Sequence, residues 1–63
     1  MKEKVYTAYY DDGHDYGTFE FYSKHRANSK ANIKDAKLTA TRRYGARRSN
    51  QIRITSTILE RSF

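Results

Sequence analysis

The sequence predicts an α+β fold in which a three-stranded sheet, in the strand order 2-1-3, carries one helix on one face. The prediction rests on two changes of periodicity: side chains alternate with period two over residues 4–10 and 18–25, repeat every three or four residues over 30–44, and alternate again over 51–59. A right-handed crossover from the second strand to the third leaves a gap that the first strand fills, so the first strand is central. We expect residues 1–63 to form a single small domain.

The first two strands are expected to form a hairpin. Residues 4–10 (KVYTAYY) are rich in aromatic and β-branched side chains, and residues 11–17 are dense in the turn formers Asp and Gly. Residues 18–25 (TFEFYSKH) then place Phe19 and Phe21 on one side. This pattern is typical of a strand, a reversal and a second strand.

The register of the hairpin decides which residues face the helix. We expect Tyr10 to pair with Phe19, and Ala8 then pairs with Phe21. That register places three residues of the first strand beneath the helix: Tyr6, Ala8 and Tyr10. A slip of one residue buries the alternate set instead: Val5, Thr7 and Tyr9. The first register is preferred because Ala8 leaves room for a closely packed helix.

A helix of about four turns is predicted over residues 30–44. One face of it carries four recurring residues: Ile33, Ala36, Ala40 and Tyr44. Ser29 or Asn32 is suited to cap the start. Gly45 follows two arginines of the last turn, in the position of a C-cap glycine in the αL conformation.

The third strand is predicted over residues 51–59 (QIRITSTIL), where period two returns. Strict alternation places three isoleucines on the face that the helix covers: Ile52, Ile54 and Ile58. The intervening residues then lie on the open face: Arg53, Thr55, Thr57 and Leu59. The chain contains no proline, which suits three hydrogen-bonded strands and an unbroken helix.

The formal charge of +6 is unevenly distributed along the chain. Residues 1–23 hold two lysines and five acids, whereas residues 24–63 hold eleven basic residues and two acids. A positive half favours a polyanionic partner, because Lys and Arg attract phosphates over long range and release their counterions. We therefore expect a small basic binding module that contacts nucleic acid, DNA or RNA, through its phosphates with weak sequence preference.

Catalysis finds no support in the sequence. The chain has no cysteine, which excludes disulfides and thiolate metal sites and suits a reducing cytoplasm. His14 stands in an acidic turn that matches neither a zinc pattern nor an EF-hand, and no nucleophile motif is present. No apolar run approaches the roughly 20 residues of a membrane span. We expect a cytoplasmic protein without enzyme activity, metal or cofactor.

The densest basic segment is the arginine loop, which we define as Arg42, Arg43, Arg47 and Arg48. Guanidinium groups bind phosphates in a bidentate manner, so this loop is the first candidate site. The crossover also places it beside the acidic hairpin turn. An equally supported interpretation is that the arginines neutralise the acids of that turn: Asp11, Asp12 and Asp15.

A second candidate anion site lies at the opposite end of the sheet, around the start of the helix. Lys24, Arg26 and Lys30 surround that start, where the first turn of a helix has free backbone N–H groups. The alternative is a solvated basic loop with an ordinary helix cap.

The open face of the sheet is the third candidate surface, with Tyr9, Tyr22 and Arg53 as its binding residues. Tyrosines beside cations stack on the bases of single-stranded nucleic acid. The same residue types are favoured in protein interfaces, including that of a homodimer. Leu38, on the outer face of the helix, is a further candidate for a protein contact.

The segment EFYSKHRANSKANIKDA (residues 20–36) resembles segments of short uncharacterised basic proteins of Gram-positive bacteria and their phages. The resemblance extends over residues 18–45 and includes no catalytic motif. It implies a small α+β fold. It also implies an alternative function, that of a phage-encoded inhibitor or modulator that binds a host protein complex.

Overall fold

A computed structural model describes residues 4–62 of the chain. Its elements are, in order, β1 (Lys4–Asp11), β2 (Tyr16–Ser23), α1 (Lys30–Tyr44), α2 (Ala46–Ser49) and β3 (Arg53–Ser62). The sheet has the order β2-β1-β3, both pairings are antiparallel, and α1 packs against one face. The predicted α+β class and strand order are confirmed. The short helix α2 was not predicted, and β3 begins and ends later than residues 51–59.

The register of the hairpin differs from the prediction by two residues. Tyr10 pairs with Gly17, and Ala8 pairs with Phe19. Because the shift is an even number, the side chains keep the faces that the preferred register gave them. Tyr6 and Ala8 lie beneath the helix with exposures of 2% and 0%.

The shift in register arises from a turn that is shorter than expected. Asp12 Oδ1 accepts hydrogen bonds from the backbone amides of His14 and Asp15 at 2.9 and 2.8 Å. Gly13 has a φ of 92°, a conformation that favours glycine. An aspartate that bonds its own turn stabilises a tight loop, so both strands run closer to the reversal than the turn-forming composition suggested.

The core lies between α1 and the inner face of the sheet. It consists of seven buried residues: Tyr6, Ala8, Phe19, Phe21, Ala36, Ala40 and Ile52. Ala36 and Ala40 have no exposed area, so the backbone of α1 approaches the sheet closely. Aromatic rings supply most of the remaining volume, and the Tyr6 and Phe21 rings stack with their centroids 5.5 Å apart.

Strand β3 departs from strict alternation, and the predicted facing of its second half is wrong. A β-bulge places one extra residue, Thr55, against β1 and reverses the facing of residues 56–59. A second register shift, at Glu60, restores the original alternation for Arg61. Thr57 therefore faces the helix and is 2% exposed, whereas Ile58 lies on the open face and is 49% exposed. Leu59 pairs with Tyr6 and so lies on the helix side as well.

Hydrogen bonds explain why a threonine is buried in place of an isoleucine. The Thr57 hydroxyl donates to Asn32 Oδ1 at 2.6 Å and accepts from the Asn28 backbone amide at 2.8 Å. The Asn28 side chain also bonds the backbone of Thr57, accepting from its N–H at 2.8 Å and donating to its carbonyl at 3.2 Å. Asn28 thus bonds the outer edge of β3 as a neighbouring strand would.

Both ends of α1 are fixed by local hydrogen bonds. Ser29 is the N-cap, and its hydroxyl accepts from the Asn32 amide at 3.2 Å, so Ser29 rather than Asn32 fills the predicted cap. Asn32 is itself fully buried. At the other end the Gly45 amide donates to the Thr41 carbonyl at 2.9 Å. Gly45 has φ 91° and ψ 159°, which is not the αL conformation but another region accessible essentially to glycine alone.

Candidate functional site

The arginine loop is carried by two helices that are tied together. Arg42 and Arg43 occupy the last turn of α1, and Arg47 and Arg48 lie in α2, which starts directly after the break at Gly45. All four side chains are exposed. The four guanidiniums therefore stand on the surface at the hairpin end of the molecule, as the sequence predicted.

Polar contacts at the base of the arginine loop hold α2 against α1. The hydroxyls of Thr41 and Ser49 lie 3.0 Å apart, and Ser49 is 2% exposed. The Lys37 ammonium group donates to the carbonyl of Ser49 and, at 2.7 Å, to that of Ile52. Lys37 is thus a structural cation that satisfies the carbonyl of the last residue of α2 and a carbonyl of the segment that follows it.

One arginine of the loop pairs with the acidic turn. Arg48 Nη2 lies 3.0 Å from Asp12 Oδ2, and only 6% of the Asp12 side chain is exposed. The amides of Asp15 and His14 lower the pKa of this carboxyl, with a smaller contribution from Arg48, against an opposing effect of burial. Within residues 4–62 no carboxylate pairs with Arg42, Arg43 or Arg47. Neutralisation by the turn therefore applies to a single arginine.

The fold concentrates positive charge on its helical side. Residues 24–49, which form α1, α2 and the loop before them, contain nine basic residues and one acid, Asp35. Asp35 accepts a hydrogen bond from the Ser23 hydroxyl at 2.7 Å. Exposed residues at four-residue intervals extend the arginine loop along the outer face of α1: Lys30, Lys34, Leu38 and Arg42. We call the exposed cations Lys30, Lys34, Arg42, Arg43 and Arg47 the basic surface.

The cations at the start of α1 lie near the opposite end of the helix from the arginine loop. Lys24 and Arg26 are exposed, as is Lys30 of the basic surface. A groove of about 270 Å³ beside them is lined by five residues: Tyr22, Ser23, Lys24, His25 and Asp35. The Ser29 hydroxyl accepts a hydrogen bond from one of the free backbone amides of the first turn. The start of α1 thus has an ordinary serine cap.

The open face of the sheet combines exposed aromatic residues with opposed charges. Tyr9 and Tyr22 are 40% and 62% exposed, as expected, and Tyr16 is exposed by 87%. Each of two cations of β3 stands near an acid on another strand, one on the adjacent β1 and one across it on β2. Arg53 pairs in register with Asp11, and Arg61 Nη2 lies 3.9 Å from Glu20 Oε1.

A shallow groove crosses the hairpin end of the open face. Its volume is about 430 Å³, and it is lined by Tyr9, Tyr10, Tyr16, Gly17, Thr18 and Thr55. The ring of Tyr10 packs over Gly17 so closely that a Cβ atom at residue 17 would overlap it. A side chain at residue 17 would therefore displace the ring of Tyr10.

Several residues of these surfaces were not singled out from the sequence, among them Tyr16, Lys34 and Ile58. Lys34 follows Lys30 by one helical turn and could have been found from the predicted helix. Ile58 could not, because its exposure depends on the bulge at Thr55. Thr57 and Leu59, which were expected on the open face, lie on the helix side.

Among the residues that the structure describes, no group of three metal-binding side chains is close enough to hold an ion, and no helix is long and apolar enough to cross a membrane. Comparisons with protein-family models, with curated proteins and with solved structures found no match to this chain.

Proposed function

We propose that this protein binds nucleic acid through the basic surface, by phosphate contacts with weak sequence preference. The observation that supports the proposal is the segregation of charge, since nine basic residues and one acid lie in residues 24–49. The acids of β1, β2 and the hairpin turn belong to the other part of the molecule. A polyanion that approaches the helical side meets cations for which few carboxylates of the protein itself compete.

The phosphate contacts are assigned to particular side chains. Arg42, Arg43 and Arg47 bind phosphate oxygens through the fork of the guanidinium group. Lys30 and Lys34 act as point charges further along α1. Arg48 is half exposed but is already bonded to Asp12, so its main contribution is to fix α2 against the hairpin.

Weak sequence preference follows from the residue types of the basic surface. Phosphate contacts position a protein on nucleic acid but carry no sequence information, which is read at the edges of the bases. The residues between the cations on the outer face of α1 include Leu38 and Thr39, with no cluster of amide side chains for base recognition. The lack of cysteine suits this role in a reducing cytoplasm.

The proposal is tested by measuring the affinity of the purified protein for labelled DNA and RNA over a series of salt concentrations. We expect the binding constant to fall steeply with salt, because each phosphate contact releases condensed counterions. Absence of binding at low salt, or an affinity that does not change with salt, would overturn it.

A second candidate function is binding to another protein through the open sheet face, as a phage-encoded modulator of a host complex would do. The observation that favours it is the set of exposed apolar residues there: Tyr16, Tyr22 and Ile58. Affinity capture after nuclease treatment distinguishes the two functions, since partners held by nucleic acid are lost and direct partners remain. A second copy of this chain is the other occupant to check, by sedimentation mass.

A further inference from the structure

We propose that the nucleic acid bound by the basic surface is double-stranded. This inference rests on the proposed function and specifies its substrate class. Proteins that bind single strands combine a positive groove for the backbone with aromatic side chains on which the bases stack. Here the three most exposed aromatic rings, those of Tyr9, Tyr16 and Tyr22, lie on the open sheet face and not on the basic surface.

In the described part of the chain, the aromatic ring next to the arginines of the helical side is that of Tyr44, which is 37% exposed. Tyr44 is the aromatic residue of α1, and its ring packs against Phe19 and Tyr10 with centroids 6.1 and 6.5 Å apart. Those contacts tie Tyr44 to the rings of the hairpin. A base that reached the arginine loop would thus find charge and only the part of the Tyr44 ring that these contacts leave open.

The open face has the rings but lacks excess positive charge. Glu20 and Glu60 lie there with Arg61, and Glu60 accepts a hydrogen bond from the Thr7 hydroxyl at 2.7 Å. A single strand stacked on Tyr9 would bring its phosphates towards these carboxylates. The sheet itself separates Tyr9 from the arginine loop, so one nucleotide cannot bind both.

Tyr22 of the open face also lies beside an exposed cation. It lines the groove that also contains Lys24 and His25. The carboxylate of Asp35 lines the same groove, which disfavours a phosphate at that position. Tyr22 is therefore the residue whose replacement best tests the alternative of single-strand binding.

The dimensions of the basic surface suit the backbone of a duplex. Lys30 and Arg42 are twelve residues apart on α1, which is about 18 Å at the rise of an α-helix. That distance corresponds to about five base pairs. A duplex presents its phosphates on the outside with the bases already stacked, so it requires charge at intervals and no aromatic platform.

The experiment compares a duplex of about 20 base pairs with each of its separate strands, by fluorescence anisotropy at several salt concentrations. We expect the duplex to bind at least about tenfold more tightly than either strand. The slope of log K against log salt should be about −0.9 per phosphate contact, the value for double-stranded DNA. The variant Tyr9→Leu/Tyr22→Leu removes two of the exposed rings of the open face. We expect its duplex affinity to remain within about twofold of the parent, since it keeps every phosphate contact.

The outcomes separate this inference from the proposed function. Equal or tighter binding of the single strands overturns the inference and leaves nucleic-acid binding intact. Loss of single-strand binding in the double tyrosine variant would then identify the open face as the platform. Failure of both the duplex and the strands to bind at low salt overturns the proposed function itself.

Discussion

Replacing three arginines of the basic surface by glutamine tests the assignment of phosphate contacts quantitatively. The variant is Arg42→Gln/Arg43→Gln/Arg47→Gln, and these side chains are exposed and have no carboxylate partner in the described part of the chain. Glutamine keeps helix propensity and a polar surface, so the fold should be retained. Circular dichroism provides the check that it is.

The magnitude follows from counting charges. If the five cations of the basic surface each neutralise one phosphate, the slope of log K against log salt is about −4.5 for a duplex. Affinity then falls about 500-fold between 50 and 200 mM salt. The triple variant retains Lys30 and Lys34, so its slope should be about −1.8 and its affinity should fall only about 12-fold over the same range.

The matched control for this variant is Arg53→Gln, which removes an arginine from the open face. Arg53 is exposed and pairs in register with Asp11, so its loss changes net charge without removing a contact from the basic surface. We expect a slope within about 0.5 of the parent value, against a decrease of about 1 for Arg43→Gln alone. Equal effects of Arg53→Gln and Arg43→Gln would refute the assignment and leave only a general effect of net charge.

Three further predictions concern stability. Asn28→Ala should lower the free energy of unfolding by about 1–3 kcal/mol in urea titration, because two backbone groups of Thr57 lose their hydrogen bonds. Asn28→Gly should lose somewhat less stability, because glycine readily adopts the φ of 65° at this position, and unchanged stability in both variants would contradict the edge contact. Gly17→Ala should destabilise the fold by about 1–3 kcal/mol, because the added Cβ overlaps the Tyr10 ring. In a double-mutant cycle Tyr10→Leu should relieve that added cost, and strictly additive losses of stability would refute the overlap. The pKa of Asp12 lies below its ordinary value of 3.8, so the ionised carboxylate stabilises the fold above pH 3.8 and this stabilisation is lost as the pH falls through the lowered pKa. Thermal melts across pH 2–6 should show this loss in the parent and less of it in Asp12→Asn. Equal pH dependence of the two proteins would contradict the prediction.

The sequence allowed prediction of the elements whose signal is periodic. The helix over residues 30–44 has the predicted bounds, and the order of the sheet follows from the crossover rule. Ala36 and Ala40 were expected on the buried face and lie there. In each case the hydrophobic pattern is repeated along the whole element, so a single unusual residue does not change the predicted structure.

Features that depend on one or two polar contacts were not predicted. The register of the hairpin is set by the hydrogen bonds of Asp12 within its turn. The facing of Thr57 is set by the bulge at Thr55 and by the two asparagines that bond it. Alternation of hydrophobic residues contains no information on such contacts, and here it pointed to Ile58 instead.

The inward position of Thr57 also connects the sheet to the charged side of the molecule. Asn28 binds β3 immediately before Ser29 caps α1, and Asn32, in the first turn, accepts from the Thr57 hydroxyl. The start of the helix is therefore fixed to the sheet by side chains that the bulge brings into place. Since Lys30 and Lys34 lie in the same two turns, their position relative to the arginine loop depends on these bonds. An inward-facing isoleucine at residue 57 would add apolar burial but would remove the hydroxyl that both asparagines use, so the polar residue is the one that orients the basic surface.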